Sequence, residues 1–326
     1  GFGVAVRPYA RVRYNGADER EAPMQPTETP RGAQPAWLGC DPMPFELVLE
    51  GGAMRNLFTC GVVDFFMDQG LFAEETVGTS AGALCGYNYV SGAPGRQAYI
   101  NLRFRSDWRF MGVRSKLVTG DLVGSRFLFD TVPNDILQLD HSWFVKSPMR
   151  LVSVASDLDT GCADYHVFGP GETYERGKDY LLASSSMPFA NRIVRVDGKH
   201  LLDGGVCDAV PFRWGRERYA GRQVVVLTHE RGHVMHPARV KRYARHRYGA
   251  FPNFVTAWWK RPHLYNLAYC EVEELHDKGE LFAIWPDGPL DVSLAERSPE
   301  KLFAAYERGL EQAAKAWPAI ERFLNL

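Results

Sequence analysis

The pentapeptide Gly78-Thr79-Ser80-Ala81-Gly82 follows Glu75-Thr76-Val77 and opens the helix-capable run Ala81 to Val90. As a strand-to-helix turn, this G-x-S-x-G stretch puts Ser80 on a sharp elbow with its hydroxyl exposed at the top of a sheet, and only small neighbours fit beside it. The same five residues also describe a plain helix N-terminus rich in small side chains. The surrounding chain has to decide between the two.

Upstream, Phe45-Glu46-Leu47-Val48-Leu49-Glu50 has the apolar content of a largely buried strand, and Gly51-Gly52 stops it. From Leu57 to Gln69 the residues Leu57, Cys60, Gly61, Val62, Phe65 and Phe66 recur at helical spacing, with Gly70 as the C-terminal stop. A second strand then leads into Ser80. The order strand, helix, strand, helix predicts a parallel sheet. Met149 to Ser156 and Gln223 to Thr228 read as two further buried strands. Between them lie the turn-rich Asp157-Leu158-Asp159-Thr160-Gly161 and a β-pair around Arg192 to Leu202 that bends at Asp197-Gly198. Arg96 to Leu137 reads as mainly helical, with breaks at Gly112, Gly120 and Pro133, and is the place for a lid or substrate-covering surface.

The two ends differ from this middle. Residues 1–44 carry scattered prolines and charges with no sustained period, which predicts an irregular arm. Residues 45–230 form the α/β domain. Residues 231–326 form an extension packed on it, with helices Pro262 to Lys278 and Pro299 to Leu324 flanking a short strand, Leu281 to Trp285.

With 326 residues and 45% hydrophobic side chains the chain can bury a sizeable core. Its 38 basic and 39 acidic residues give no reason to expect a nucleic-acid partner. No window approaches 18 uninterrupted apolar residues, and the N-terminus lacks the features of a signal peptide. These points predict a soluble, cytoplasmic protein, although a chain that starts at Gly1 leaves room for an upstream segment. The six cysteines, at 40, 60, 85, 162, 207 and 270, show no C-x-x-C spacing. They fit a reducing compartment better than a disulfide framework or a zinc site.

A serine hydroxyl is a poor nucleophile at neutral pH. It needs a base within hydrogen-bond reach and donors aimed at the oxygen that becomes negative in acyl transfer. Gly51-Gly52-Ala53-Met54-Arg55 offers such donors: glycines let backbone N–H groups approach a ligand, and Arg55 adds a fixed positive charge. Neither a Walker lysine nor G-x-G-x-x-G accompanies it, which argues against a nucleotide-phosphate loop. Asp203-Gly204-Gly205 places a carboxylate at a strand end, and His200 lies three positions before it, with a solvent-facing or structural role favoured by strand alternation. On chemistry alone a Ser-Asp dyad and a Ser-His-Asp triad both stay open.

These three motifs, in this order, resemble those of the patatin-like phospholipases. Ala155-Ser156-Asp157-Leu158-Asp159-Thr160-Gly161 and Ala183-Ser184-Ser185-Ser186-Met187-Pro188 also look familial, and Tyr265 to Ala313 is similar to the C-terminal extension of the bacterial cytosolic branch. The resemblance runs from about residue 45 to the C-terminus and leaves the first 44 residues outside it. It implies an α/β fold of three layers, a central mostly parallel sheet between helices, with a C-terminal helical extension. It implies a Ser80–Asp203 dyad without a catalytic histidine, an oxyanion hole from Gly51, Gly52, Ala53 and Arg55, and an elbow framed by Gly78 and Gly82. The implied activity is hydrolysis of fatty-acyl esters of phospholipids or lysophospholipids without calcium, other metal or cofactor. A general carboxylesterase on small esters and a catalytically silent lipid- or protein-binding relative are the alternatives.

Two further features stand outside these motifs. His229, His233 and His236 have spacings that let two of them share a metal, but no carboxylate completes the set in sequence, which favours a solvated loop. The basic stretch 239–261, with Trp258-Trp259, predicts either a solvated helix face or a peripheral contact with anionic membrane.

Overall fold

The computed structural model describes residues 34–326 apart from 170, 219–220 and 238–240. Most of the N-terminal arm, 1–33, therefore lies outside the described residues, as does Arg239 at the head of the basic stretch. The elements in order are β1 (Met43–Leu49), α1 (Leu57–Asp68), β2 (Ala73–Thr79), α2 (Ala81–Val90), α3 (Arg96–Phe104), α4 (Val113–Thr119), α5 (Ser142–Lys146), β3 (Arg150–Asp157), β4 (Ala163–Val167) and α6 (Tyr174–Ser184). They continue with β5 (Val194–Val196), β6 (Lys199–Asp203), α7 (Phe212–Arg218), β7 (Arg222–Val226), α8 (Lys241–Arg247), α9 (Pro252–Asp277), β8 (Phe282–Ile284) and α10 (Pro299–Leu324).

One mostly parallel sheet forms the middle layer. β8, β7, β1, β2 and β3 run parallel side by side, while β4, β5 and β6 are antiparallel additions. Period-2 alternation explains how each face is filled. Leu47 and Leu49 of β1 and Val224 and Val226 of β7 pack into the core shared with α1, α2 and α10. Val48 and Val225 point the other way, against Phe212 of α7 and Tyr265, Tyr269 and Val272 of α9. The sheet is thus covered on both sides, as near-continuous apolar parallel strands require.

The C-terminal residues join the same body. β8 extends the sheet beside β7, with Val225 opposite Ala283. α10 crosses α1 where Gly61 and Gly309 meet: a Cβ on Gly309 would lie 2.0 Å from the Phe58 carbonyl oxygen, and one on Gly61 would lie 2.2 Å from that of Tyr306. Only glycine lets the two backbones approach so closely. Beside this crossing Tyr306 donates to Asp64 Oδ2 at 2.8 Å, and Gly95 N–H donates to Asp64 Oδ1 at 2.9 Å.

Two expected helix breaks fall elsewhere. Pro133 lies inside a π-helical stretch, Phe127–Ile136, whose closing bond runs from Leu137 N–H to the Val132 carbonyl. The wider turn accommodates a ring that would clash in an α-helix. The helix expected to begin at Pro262 begins instead at Pro252 and passes through Pro262. Both halves bury a face, Phe254, Val255 and Ala257 before the proline and Tyr265, Ala268 and Tyr269 after it. Packing on the two halves offsets the lost backbone bond. β4, α6 and α7 were not legible in the sequence. All six cysteines are free, and no described helix is long and apolar enough to cross a membrane.

Candidate active site

Ser80 sits between the last residue of β2 and the first turn of α2, at φ 57 and ψ −125. A non-glycine residue held there stores about 1–3 kcal/mol of strain, so its surroundings must over-determine it. They do so sterically and by hydrogen bonding. A Cβ on Gly82 would lie 2.5 Å from the Leu49 carbonyl oxygen, and one on Gly78 would lie 2.7 Å from the Gly82 backbone. The small residues therefore let α2 start directly against the end of β1. Ser80 N–H donates to Ser184 Oγ at 2.8 Å, and Ser184 Oγ–H donates onward to the Val154 carbonyl at 2.6 Å.

Sheet pairing brings Asp203 to this elbow across 123 positions of sequence. β2 pairs with β3 over 150–154 and β4 pairs over 152–156, so their overlap puts them on opposite edges of β3. β6 pairs over 155–157, overlapping β4, and must lie on the edge β2 uses. β2 and β6 therefore meet end to end: Thr79 is opposite Val154, and Asp203 is opposite the next residue, Ala155. Ser80 Oγ–H donates to Asp203 Oδ2 at 2.6 Å, and Gly205 N–H donates to Oδ1 at 2.8 Å. The main chain of Asp203 is held as well, its N–H by the Ser186 carbonyl at 2.8 Å and its carbonyl by Ser156 Oγ–H at 2.8 Å. Burial pushes the Asp203 carboxyl above the usual aspartate range, while the bonds from Ser80 and Gly205 and the charge of Arg261 oppose the shift.

The glycine-rich turn after β1 lies alongside. Gly51 N–H is already committed to the Ala209 carbonyl at 3.1 Å. It is not free to face an oxyanion, which narrows the expected donor set. Gly52 and Ala53 N–H have no protein acceptor among the described residues. Ala53 is held at φ 47, a second strained non-glycine residue beside the serine. At the end of β1 the buried Glu50 accepts from Tyr265 OH at 2.6 Å, from Tyr269 OH at 3.3 Å and from Thr228 N–H. Burial raises its pKa.

Two cavities open on Ser80. One, of about 60 Å³, is mainly apolar and lined by Leu84, Phe110, Met111, Val123, Leu128 and Met187. The stretch expected to cover substrate thus supplies much of its wall. The other, of about 210 Å³, is lined by Asp203, Arg55, His229, Trp258, Arg261 and Tyr265 among others. The last three come from α9. They sit at i, i+3 and i+7, so one helix face turns Trp258 and Arg261 toward the site while Trp259 remains 43% exposed. The basic stretch and tryptophan pair are therefore not one surface, and Arg261 was not foreseen as a site residue. The i, i+3, i+7 spacing was its only sequence signal.

No histidine among the described residues hydrogen-bonds Ser80 or Asp203. His200 pairs with Asp159 Oδ2 at 2.8 Å instead. His229 faces the larger cavity, and burial lowers its pKa to about 3, with the charge of Arg55 adding to the shift. His229, Glu230 and His233 bring ligand atoms within 4.8 Å of one another, so Glu230 rather than His236 completes the cluster. The His229 and His233 rings stack at 3.6 Å and 11°.

Against this geometry the comparisons with known proteins fall into place. The patatin-like phospholipase model matches residues 47–213, and a domain of unknown function (DUF6363) matches 251–325. The chain belongs to the patatin-like phospholipase family. Over 195 residues it is 29% identical to the uncharacterized protein YjjU of Escherichia coli (strain K12), covering 56% of this chain and 51% of that protein. It thus spans about half the length of this relative. Among solved structures it is similar to VipD from Legionella pneumophila, with a TM-score of 0.43 and 14% identity over 88% of this chain and 67% of that one. It is also similar to the type III effector protein ExoU, with a TM-score of 0.39 and 12% identity over 85% and 53%.

Proposed function

We propose that the protein is a serine acyl hydrolase that cleaves fatty-acyl esters of phospholipids or lysophospholipids through a Ser80–Asp203 dyad. The single observation that carries the reading is the 2.6 Å bond from Ser80 Oγ–H to Asp203 Oδ2 on a strained elbow. Asp203 takes the hydroxyl proton as Ser80 Oγ attacks the ester carbonyl, then delivers it to the departing alcohol, leaving an acyl-enzyme. Water repeats the sequence in reverse: Asp203 accepts its proton, the hydroxide attacks, the fatty acid leaves and Ser80 Oγ regains a proton. Gly52 and Ala53 N–H, with the positive N-terminal end of α2, stabilise the oxyanion. Gly51, Gly78 and Gly82 serve by shape. The apolar cavity takes the start of the acyl chain.

The division of labour follows the domains: 45–230 carries the dyad, and 231–326 is the extension that walls the larger cavity. A peripheral lipid contact belongs to the same reading, but α4 supports it better than the basic stretch. Val113, Leu117 and Val118 are 71%, 82% and 66% exposed on this short helix, beside exposed Arg114 and Lys116. α4 follows Met111, whose bridge to Val123 closes the apolar cavity's rim. An apolar patch rimmed by cations suits an anionic lipid surface.

Fluorophosphonate labelling tests the dyad. The protein is expected to label at Ser80 and hydrolyse lysophospholipid, with Ser80→Ala and Asp203→Asn each losing about 10³-fold or more of kcat. A folded Asp203→Asn variant with full activity would remove Asp203 from the mechanism. Because Asp203 must be ionised to act, activity should rise with pH through a value above the usual aspartate range.

A further inference from the structure

We infer that the larger cavity beside Ser80 is a phosphate subsite formed jointly by Arg55 and Arg261, which takes the headgroup phosphate of a glycerophospholipid substrate. The inference rests on the acyl-hydrolase reading and adds to it a substrate feature and a role for the C-terminal helix α9.

Both arginines line the cavity. Arg261 Nε–H donates to the Gly205 carbonyl at 2.6 Å, and its guanidinium lies 5.7 Å from the centroid of the Trp258 ring. Its Nη donors have no acceptor among the described residues. The Arg55 side chain donates to no acceptor among the described residues, and its Nε is buried and unpartnered. Neither arginine is in an ion pair among the described residues. The two acids that face the cavity are held by neutral donors: Glu50 by Tyr265, Tyr269 and Thr228, and Asp203 by Ser80 and Gly205. Two guanidinium groups with unused donors thus share one partly dry space with the Glu50 and Asp203 carboxylates, and unused donors there are costly unless a further acceptor enters. Burial lowers the Arg261 pKa; the charges of Asp203 and Glu50 oppose the shift and the like charge of Arg55 adds to it.

The ligand class follows from position and shape. A guanidinium presents a planar fork that matches the paired oxygens of a phosphate. Asp203 lines this cavity and not the apolar pocket, and the two adjoin at Ala53, Ser80 and Met187. An ester whose acyl chain fills the apolar pocket therefore directs its glycerol and headgroup toward the arginines. Arg261 is then a specificity-determining residue supplied by the extension.

The test compares wild type with Arg261→Gln and Arg261→Lys, using lysophosphatidylcholine and uncharged monoacylglycerol as substrates. In Arg261→Gln, kcat/KM for the phospholipid should fall about tenfold or more beyond any fall for the uncharged ester, and Arg261→Lys should recover part of the difference. Calorimetry on Ser80→Ala protein separates binding from chemistry. Glycerophosphocholine, the headgroup without an acyl chain, should bind and should bind about tenfold more weakly when Arg261→Gln is added. Equal losses on both substrates, or glycerophosphocholine binding unaffected by Arg261→Gln, would overturn the inference. Binding of inorganic phosphate without binding of glycerophosphocholine would overturn the lipid assignment. Failure of the hydrolase reading would look different: no labelling of Ser80 and no activity on either ester.

Discussion

Around Ser80 the backbone is determined by residues a few positions apart: Gly78 and Gly82 clear the space, and α2 begins at the next residue. Arg261 reaches the same site from the middle of a 26-residue helix that no pattern in its own sequence ties to the serine. The elbow is a local device that carries its steric logic wherever the five residues occur. The α9 wall exists only because Tyr265 and Tyr269 dock on Glu50 and Val272 packs on the far face of the sheet. The elbow and the cavity beside it thus have different origins. Ser80 and Asp203 sit at strand ends, while the cavity beside them takes Arg55 from the turn after β1 and Arg261 from α9.

Three experiments bear on this contrast. The largest effect is expected where α10 clasps α1. Asp64 ionises near 3.8 in the unfolded chain, but burial raises it to about 7 in the fold. The folded state therefore holds a proton that the unfolded chain has lost. The resulting stabilisation is complete below the unfolded value and is lost as pH rises through about 7. Asp64→Asn should remove this dependence. Its stability relative to wild type should improve by an amount on the order of 4 kcal/mol between about pH 4 and pH 8, read by urea denaturation. A constant difference across that range would mean that Asp64 is not the titrating group.

A smaller effect is expected at the elbow. Ser184→Ala leaves the Ser80 N–H without its acceptor and should cost about 1–3 kcal/mol of stability. It should also lower kcat more than it raises KM, because it loosens the Ser80 turn rather than the cavity walls. Unchanged kcat in the folded variant would show that the glycines alone hold the turn.

The smallest effect concerns the lipid surface. Leu117→Asp should weaken co-sedimentation with anionic vesicles several-fold, whereas Arg245→Glu, on the exposed side of α8, should weaken it less. The reverse order would return the membrane contact to the basic stretch of the C-terminal half.

Much of this was legible in the sequence. The apolar run in Phe45 to Glu50, the helical spacing from Leu57 and the G-x-S-x-G turn are short-range patterns, and they specified the parallel sheet and the elbow. Ser156, Ser184 and Ser186 stood in stretches that looked familial, yet their work as backbone clamps could not be read from composition. Gly51 was expected among the oxyanion donors, but its N–H is engaged by Ala209, a partner 158 positions away (209 minus 51). Pro262 looked like a helix start because a proline's local cost is visible in sequence and the packing that offsets it is not.

The sequence by itself determined that a serine on a strained turn would stand above a parallel sheet, because backbone dihedrals and the absence of Cβ atoms are properties of neighbouring residues. Only the tertiary structure decided what meets that serine. Asp203 arrives because β6 takes the next register position on β3 after β2 ends, and Arg261 arrives because α9 is rotated by its docking on the far side of the sheet. Strand register and helix rotation are set by surfaces that come together only in the fold, so no window of the chain contains them.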